Sequence, residues 1–318
     1  MLLHALECCG RQARWVLPLG LVGGFTLPWA AEPLSGLIGP SIWLLLFFSV
    51  VRLASSGALT SDAVGVSGDL QSDKWQALIT RVLIAQLVFP LAVFSLATLI
   101  GLPDIWRLAA TLVAAASPIS GSPSLVTLLK GDGALALRWL IAGTVLLPLT
   151  CLPVLMIAFS DQPLNGLLLP SLKLLLLILT ATIAGVLSTR FAKKNQFSLS
   201  LQALDGASAI TLALMVIGLM SALHAPDTTM RDFLVALAAA VTINAGFQLL
   251  GASTARVIKH QPARIIGTGV IYGNRNVALY LTALPVSFTE PLLLFIACYQ
   301  IPMYLTPLLG DFFYRRLE

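Results

Sequence analysis

Apolar runs long enough to cross a lipid bilayer follow one another along nearly the whole chain. Hydropathy and the placement of Pro and Gly mark ten of them, at 15–31, 34–53, 75–100, 105–129, 134–159, 164–189, 199–223, 232–256, 262–284 and 291–310. A bilayer core about 30 Å thick takes about 20 helical residues to span, so 318 residues hold ten spans with short connections. The runs are continuous and rich in Leu and Ala, unlike the short alternating segments of a β-barrel. Charge is too sparse to coat a water-soluble surface. Asp, Glu, Lys and Arg make up 10 % of the chain, against about 25 % in a soluble domain. An ordinary soluble domain, a disordered chain and a nucleic-acid binder are thereby excluded. The expected architecture is an all-α polytopic membrane protein with the lipid bilayer as its first partner. No charged leader with a small-residue cleavage site precedes the first run, so no cleaved signal peptide is expected. The longest connection, 54–74, carries Gly, Ser and three Asp and reads as a solvated loop.

The basic residues orient the spans. Of the 19 Lys and Arg, four lie a full turn or more inside runs: Arg81, Arg138, Lys173 and Arg275. With the N-terminus placed in the cytoplasm, thirteen of the others, from Arg11 to Arg316, fall on the cytoplasmic side. Only Arg107 and Arg231 fall outside. Such an excess marks the cytoplasmic face, and it predicts an inner-membrane protein with both termini cytoplasmic. It also accounts for the net charge of +5 without an acidic partner. Cys8, Cys9, Cys151 and Cys298 make neither a disulfide framework nor a metal-ligand spacing, and no metal or cofactor is expected.

The two halves of the chain echo each other. The fourth run holds four Ser, two Pro and one Gly in Ser117-Pro118-Ile119-Ser120-Gly121-Ser122-Pro123-Ser124, and the ninth holds Gly273-Asn274-Arg275-Asn276. Both clusters lie mid-membrane, in the fourth span of each five-span half. Because five is odd, the second half enters from the opposite side, so 1–159 and 160–318 read as inverted repeats within one membrane unit. Paired interrupted segments of this kind point to a transport site. The two prolines around Gly121 predict a discontinuity around Ser120–Pro123. The backbone groups freed there must face protein or a wet cavity. A simple kink with serines bonded back to carbonyls is the plainer alternative. Arg275 lies about 20 Å along the ninth run from its start, too deep to snorkel easily. A cation at that depth marks a functional site by default. It reads either as a fork for an anionic substrate group or as a structural donor to carbonyls of the broken helices.

Other embedded polar residues say less. Gln86 and Asn244 are isolated amides, each either helix–helix glue or a ligand. Arg138 is near enough to a span end to snorkel, and Arg81 can do either. Lys173 has no account, and Asp205 is a counter-ion, a proton carrier or an interface marker. Enzyme readings fare badly. His4, His224 and His260 lie outside the runs, so the serine cluster has no base. Paired intramembrane aspartates and a phosphate-cradling Gly loop are both missing.

Four segments resemble the bile acid:sodium symporter family and its superfamily, which includes arsenite and riboflavin carriers. They are Ile84-Ala85-Gln86-Leu87, the stretch from Ser117-Pro118 through Lys130-Gly131-Asp132, Asn244-Ala245-Gly246, and Gly273-Asn274-Arg275-Asn276-Val277-Ala278-Leu279. The resemblance implies ten spans in two inverted halves, with broken, crossing helices in the fourth and ninth. It implies a core of spans 3–5 and 8–10 and a panel of spans 1, 2, 6 and 7. Substrate would sit near the breaks, and the core would move against the panel in alternating access. The chain also departs from the family pattern. Sodium-coupled members carry a glutamate just before the ninth-span motif, where Ile271-Tyr272 stands here, and a glutamine where Arg275 stands. Their fourth-span Ser-Asn pair falls on Pro123-Ser124. Of the sodium-ligand side chains that can be matched, Gln86 survives, and a guanidinium repels a metal cation.

The expectation is a secondary transporter that moves a small organic anion across the membrane by alternating access, without the usual sodium sites. Its substrate-binding set is Ser117, Ser120, Gly121, Ser122, Ser124, Gly273, Asn274, Arg275 and Asn276, with Gln86 and Asn244. A sodium symporter with reorganised ion sites is the alternative within transport. A non-transporting membrane receptor or assembly protein is the alternative outside it.

Overall fold

The computed structural model describes residues 2–55, 71–160, 164–195 and 200–314. Most of the 54–74 connection, and Arg315 and Arg316, lie outside the described residues. Among them all regular secondary structure is helical, with a single isolated β-bridge. The helices are α1 (Leu2–Arg11), α2 (Ala13–Thr26), α3 (Pro28–Ser35), α4 (Ile38–Ser55), α5 (Gln71–Leu83), α6 (Phe89–Leu99), α7 (Asp104–Ala115) and α8 (Ser122–Leu128). They continue as α9 (Gly133–Ala158), α10 (Leu164–Lys194), α11 (Leu201–Leu219), α12 (Met230–Val257), α13 (Pro262–Gly273), α14 (Leu279–Ala283), α15 (Val286–Thr289) and α16 (Leu293–Tyr314). A π-helical turn, Ile84–Val88, joins α5 to α6.

Seven helical stretches among the described residues are long and apolar enough to cross a bilayer. They are Ile38–Ser55, Gln76–Leu99, Gly133–Ala158, Gly166–Lys194, Leu201–His224, Met230–Val257 and Val286–Gly310. The protein is thus a multi-pass helical membrane protein. The other three expected spans are helical but interrupted, so helix length carries neither the count of ten nor the inverted repeat. The first is divided at Leu27, which leaves helical geometry (φ −122°, ψ 66°) ahead of Pro28. A residue before proline is driven out of the α region in this way. The fourth and ninth are divided at their polar clusters.

The chain divides into two compact units. One comprises Met1–Trp75 and Leu175–Ala225, the other Gln76–Leu174 and Pro226–Glu318. In the first, α11 packs on α1 through two glycines. A Cβ on Gly10 would run into the carbonyl of Gln202, and one on Gly206 into the carbonyl of Leu6. Small residues let helix backbones approach closely where lipid gives no hydrophobic drive. The same unit holds Asp205, which the Arg52 guanidinium grips by two edges, Nε to Oδ1 at 2.7 Å and Nη2 to Oδ2 at 3.4 Å. Asp205 is therefore the partner of a cation at the end of α4. Ser200 caps α11 by accepting from the Ala203 N–H and donates to Glu7 Oε1 at 2.7 Å.

The glycine contact is directly testable. Gly206→Leu should lower stability by about 1–3 kcal/mol or more, as overpacking against backbone does. Gly246→Ala, whose Cβ would meet nothing within 4 Å, should be neutral or slightly stabilising. Thermal unfolding of the two variants in detergent checks this.

Candidate functional site

Pro118 breaks the fourth run. It has no N–H to give and it disfavours helical geometry in the residue before it. α7 ends at Ala115, and Ala116 is extended (φ −65°, ψ 155°). Helix resumes at Ser122, with Pro123 in the first turn of α8, where proline is well placed. The discontinuity therefore starts at Ala116, earlier than the expected Ser120–Pro123, because Pro118 interrupts the helix and Pro123 helps restart it. In the ninth run α13 closes at Gly273, Asn274 leaves helical geometry (φ −97°, ψ 83°), and α14 begins at Leu279.

The two breaks meet. Pro118 and Arg275 form an antiparallel bridge. The Ile119 N–H donates to the Asn274 carbonyl at 3.0 Å, and the Asn276 N–H to the Ser117 carbonyl at 2.7 Å. Backbone groups freed from one helix are thus satisfied by the other, as a site remote from water requires.

Arg275 lies at this crossing with 0 % exposure, the only charged side chain that is buried among the described residues. Its Nη1 donates to the Ala116 carbonyl at 2.9 Å and its Nε to the Tyr272 carbonyl at 3.2 Å. Those carbonyls belong to the C-terminal ends of α7 and α13, where unpaired carbonyls and the helix dipole favour a cation. The Tyr272 ring lies under the guanidinium, 5.1 Å from its carbon. Nη2 has no partner. No Asp or Glu occurs in 105–131, 133–158, 233–257 or 262–289, so no carboxylate of these segments neutralises the charge.

A polar network holds the end of α13. Asn244 Nδ2 donates to the Gly273 carbonyl at 2.8 Å and to Asn274 Oδ1 at 3.0 Å. The Tyr299 hydroxyl also donates to the Gly273 carbonyl. Gln248 Nε2 donates to Asn244 Oδ1 at 2.7 Å and to Thr306 Oγ1 at 3.1 Å, and Thr306 donates to Asn274 Oδ1 at 3.2 Å. Gln86, in the π-turn, donates to the Gly143 carbonyl at 2.9 Å and accepts from Thr150 Oγ1 at 3.3 Å. A Cβ on Gly143 would lie 3.1 Å from Gln86 Nε2 and 3.2 Å from Pro118 Cδ. Gln86 therefore packs beside the first break.

The expected site residues separate by access. Gln86, Asn244 and Asn274 are buried and bonded within the protein, and Gly273 gives its carbonyl to Asn244 and Tyr299. Ser117 and Ser122 are fully buried with hydroxyls that have no partner, as is the Tyr280 hydroxyl. Ser120, Gly121 and Asn276 are half-buried, while Ser124 is exposed. Arg81 and Lys173 are exposed and Arg138 is half-buried. Burial, with the charges of Arg264 and Arg81, holds the His260 imidazole below its ordinary range. Tyr272, Gln248, Tyr299 and Thr306 were not singled out by sequence. Only Gln248 carried a signal, one helical turn beyond Asn244 on the same face.

A fixed cation with an unused edge, beside unpartnered hydroxyls in a water-poor interior, attracts an anion and repels a metal ion. Among the described residues no group of three or more His, Cys, Asp or Glu comes together to hold a metal. No family model matches the sequence, and no curated protein is significantly similar to it.

Asn274→Ala should lower stability by about 1–3 kcal/mol, because the buried Asn244 amide loses one of its two acceptors, while Thr306 keeps the Pro302 carbonyl. Ser124→Ala, at an exposed position, should stay within about 0.5 kcal/mol of the parent. Thermal unfolding in detergent distinguishes the two.

Proposed function

We propose that the chain is a secondary transporter that moves a small organic anion across the inner membrane by alternating access. We further propose that it is a divergent member of the bile acid:sodium symporter superfamily, with Arg275 as a resident cation where relatives place sodium. The observation that carries the reading is the crossing of two interrupted helices, with their C-terminal carbonyls turned onto the buried guanidinium of Arg275. Half-helix ends of this kind form ion and substrate sites in transporters. The interrupted first, fourth and ninth runs complete ten spans in two inverted halves. The division of the chain supports the same reading. The segments assigned to the core, spans 3–5 and 8–10, fall in one compact unit, and those assigned to the panel, with most of the sixth, fall in the other.

The site chemistry favours an anion without sodium. A metal cation at about 4 Å from Arg275 would be repelled by about 4 kcal/mol at an effective dielectric near 20. Substrate would meet the half-buried Ser120, Gly121 and Asn276, with Arg275, Ser117 and Ser122 behind them. Gln86, Asn244, Gly273 and Asn274 hold that geometry.

Two experiments test the proposal. In a thermal-shift screen of pyruvate, lactate, benzoate and 2-oxoglutarate, stabilisation by the binding anion should be the same in sodium, potassium and choline salts. Arg275→Gln should weaken that binding about tenfold or more, as loss of a charge-assisted bond does, and Arg275→Lys should recover only part of it. Steep sodium dependence would favour the sodium symporter, and full affinity in Arg275→Gln would make the arginine structural. Absence of saturable uptake in proteoliposomes would favour a receptor or assembly protein. For topology, externally added thiol reagent should label a cysteine placed near Pro226 or Glu290 and spare one near Lys194 or Lys259. The reverse pattern overturns the orientation.

A further inference from the structure

We propose that the carrier works as an exchanger of singly charged anions: the bound anion cancels the charge of Arg275, and only the loaded crossing passes readily between its two open forms. This rests on the transporter reading above and specifies its substrate charge and its mode.

The inference follows from how Arg275 differs from the other paired cations. Arg52 is held by Asp205, Arg107 by Asp104 and Arg264 by Asp132, and all three arginines keep part of their surface in contact with solvent. Arg275 has 0 % exposure. Its partners are two main-chain carbonyls and one aromatic face. Carbonyl dipoles and a ring quadrupole orient a guanidinium and lower its energy, but they leave its net charge in place. The segments forming the crossing contain no carboxylate that can remove it.

In either open form, water and dissolved anions reach the site and screen that charge. Between the two forms water must be shut out, and a charge left without a counter-charge in such an interior is strongly unfavourable. A bound monoanion makes the site neutral over the same passage. Nη2, buried and without a partner, is the donor left to receive it. A dianion would leave a net negative charge and lose the advantage. The loaded carrier therefore reorients faster than the empty one. Anion entering on one side is then exchanged for anion leaving on the other, and net uptake is slow.

The test uses the full chain in sodium-free proteoliposomes, with labelled pyruvate, lactate or benzoate outside. The interior holds the same anion unlabelled, or sulfate in its place. Initial uptake should be about tenfold or more faster with the matching anion inside, since leaving a buried charge uncompensated raises a barrier by more than a decade of rate. Exchange should not respond to a potassium diffusion potential of either sign, because the moving site is neutral. Arg275→Lys, which keeps the charge, should keep the dependence on internal anion. In Arg275→Gln, which removes it, the dependence should disappear. Equal rates with and without internal anion in the parent would overturn exchange while leaving the transporter reading intact. Persistence of the full dependence in Arg275→Gln, or its loss in Arg275→Lys, would overturn the role of the charge. Uptake of none of the three anions under either condition would overturn the transporter reading and the exchange mode with it.

Discussion

Two helices end in the interior of the same unit, and the guanidinium of Arg275 is what makes those endings tolerable together. A helix C-terminus leaves carbonyls without donors and concentrates negative potential. Here the carbonyls of Ala116 and Tyr272 are both answered by one side chain. The backbone exchange between Ser117–Ile119 and Asn274–Asn276 closes the remaining gap. The amides of Asn244, Gln248 and Asn274, with Tyr299 and Thr306, then fix the end of α13 from the other side. Gln86, Asn244, Asn274 and the main chain of Asn276 bond at or beside this junction, Ser117 and Ser122 are buried in the first break, and Ser124 is exposed.

The two units are held by different means. In the unit with α1 and α11, backbones meet at Gly10 and Gly206, and the one acidic group inside a run is gripped by Arg52. Dispersion and a bidentate ion pair do the holding. In the other unit, a buried polar network runs through the packing of α12, α13 and α16. Networks of this kind specify one arrangement when satisfied and penalise departures from it. Such rigidity suits elements that must carry a charged side chain in a fixed place.

Much of the helical layout was legible, because apolar length in a bilayer leaves little choice. The runs at 34–53, 134–159 and 232–256 correspond to α4, α9 and α12 within a few residues. Proline marked the interruptions, but local sequence did not show which proline acts: Pro118 breaks the helix and Pro123 sits in the first turn of the next, a difference set by where helix resumes. Arg275 was legible as an anomaly because a lone charge in an apolar run has no local reason to be there. Its partners were not, since main-chain carbonyls have no signature in sequence. Tyr299 and Thr306 were hidden for a related reason. They are ordinary residues of a membrane helix whose role comes only from facing Gly273 and Asn274 across space.

The turn at Ile84–Val88 alters how the third run must be interpreted. Phe89 donates to the Ile84 carbonyl, five residues back, and Pro90 withholds the N–H that the Gln86 carbonyl would accept in an α-helix. One extra residue is thereby accommodated, and a residue advances an α-helix by about 100°. α5 and α6 are therefore out of phase, and no single helical wheel describes 75–100. Their lipid-facing stripes are offset at the level of Gln86, which turns its amide toward Gly143. In any comparison with homologous chains, a gap of one residue in this turn would be a rotation of the amide, not a shortening of the helix.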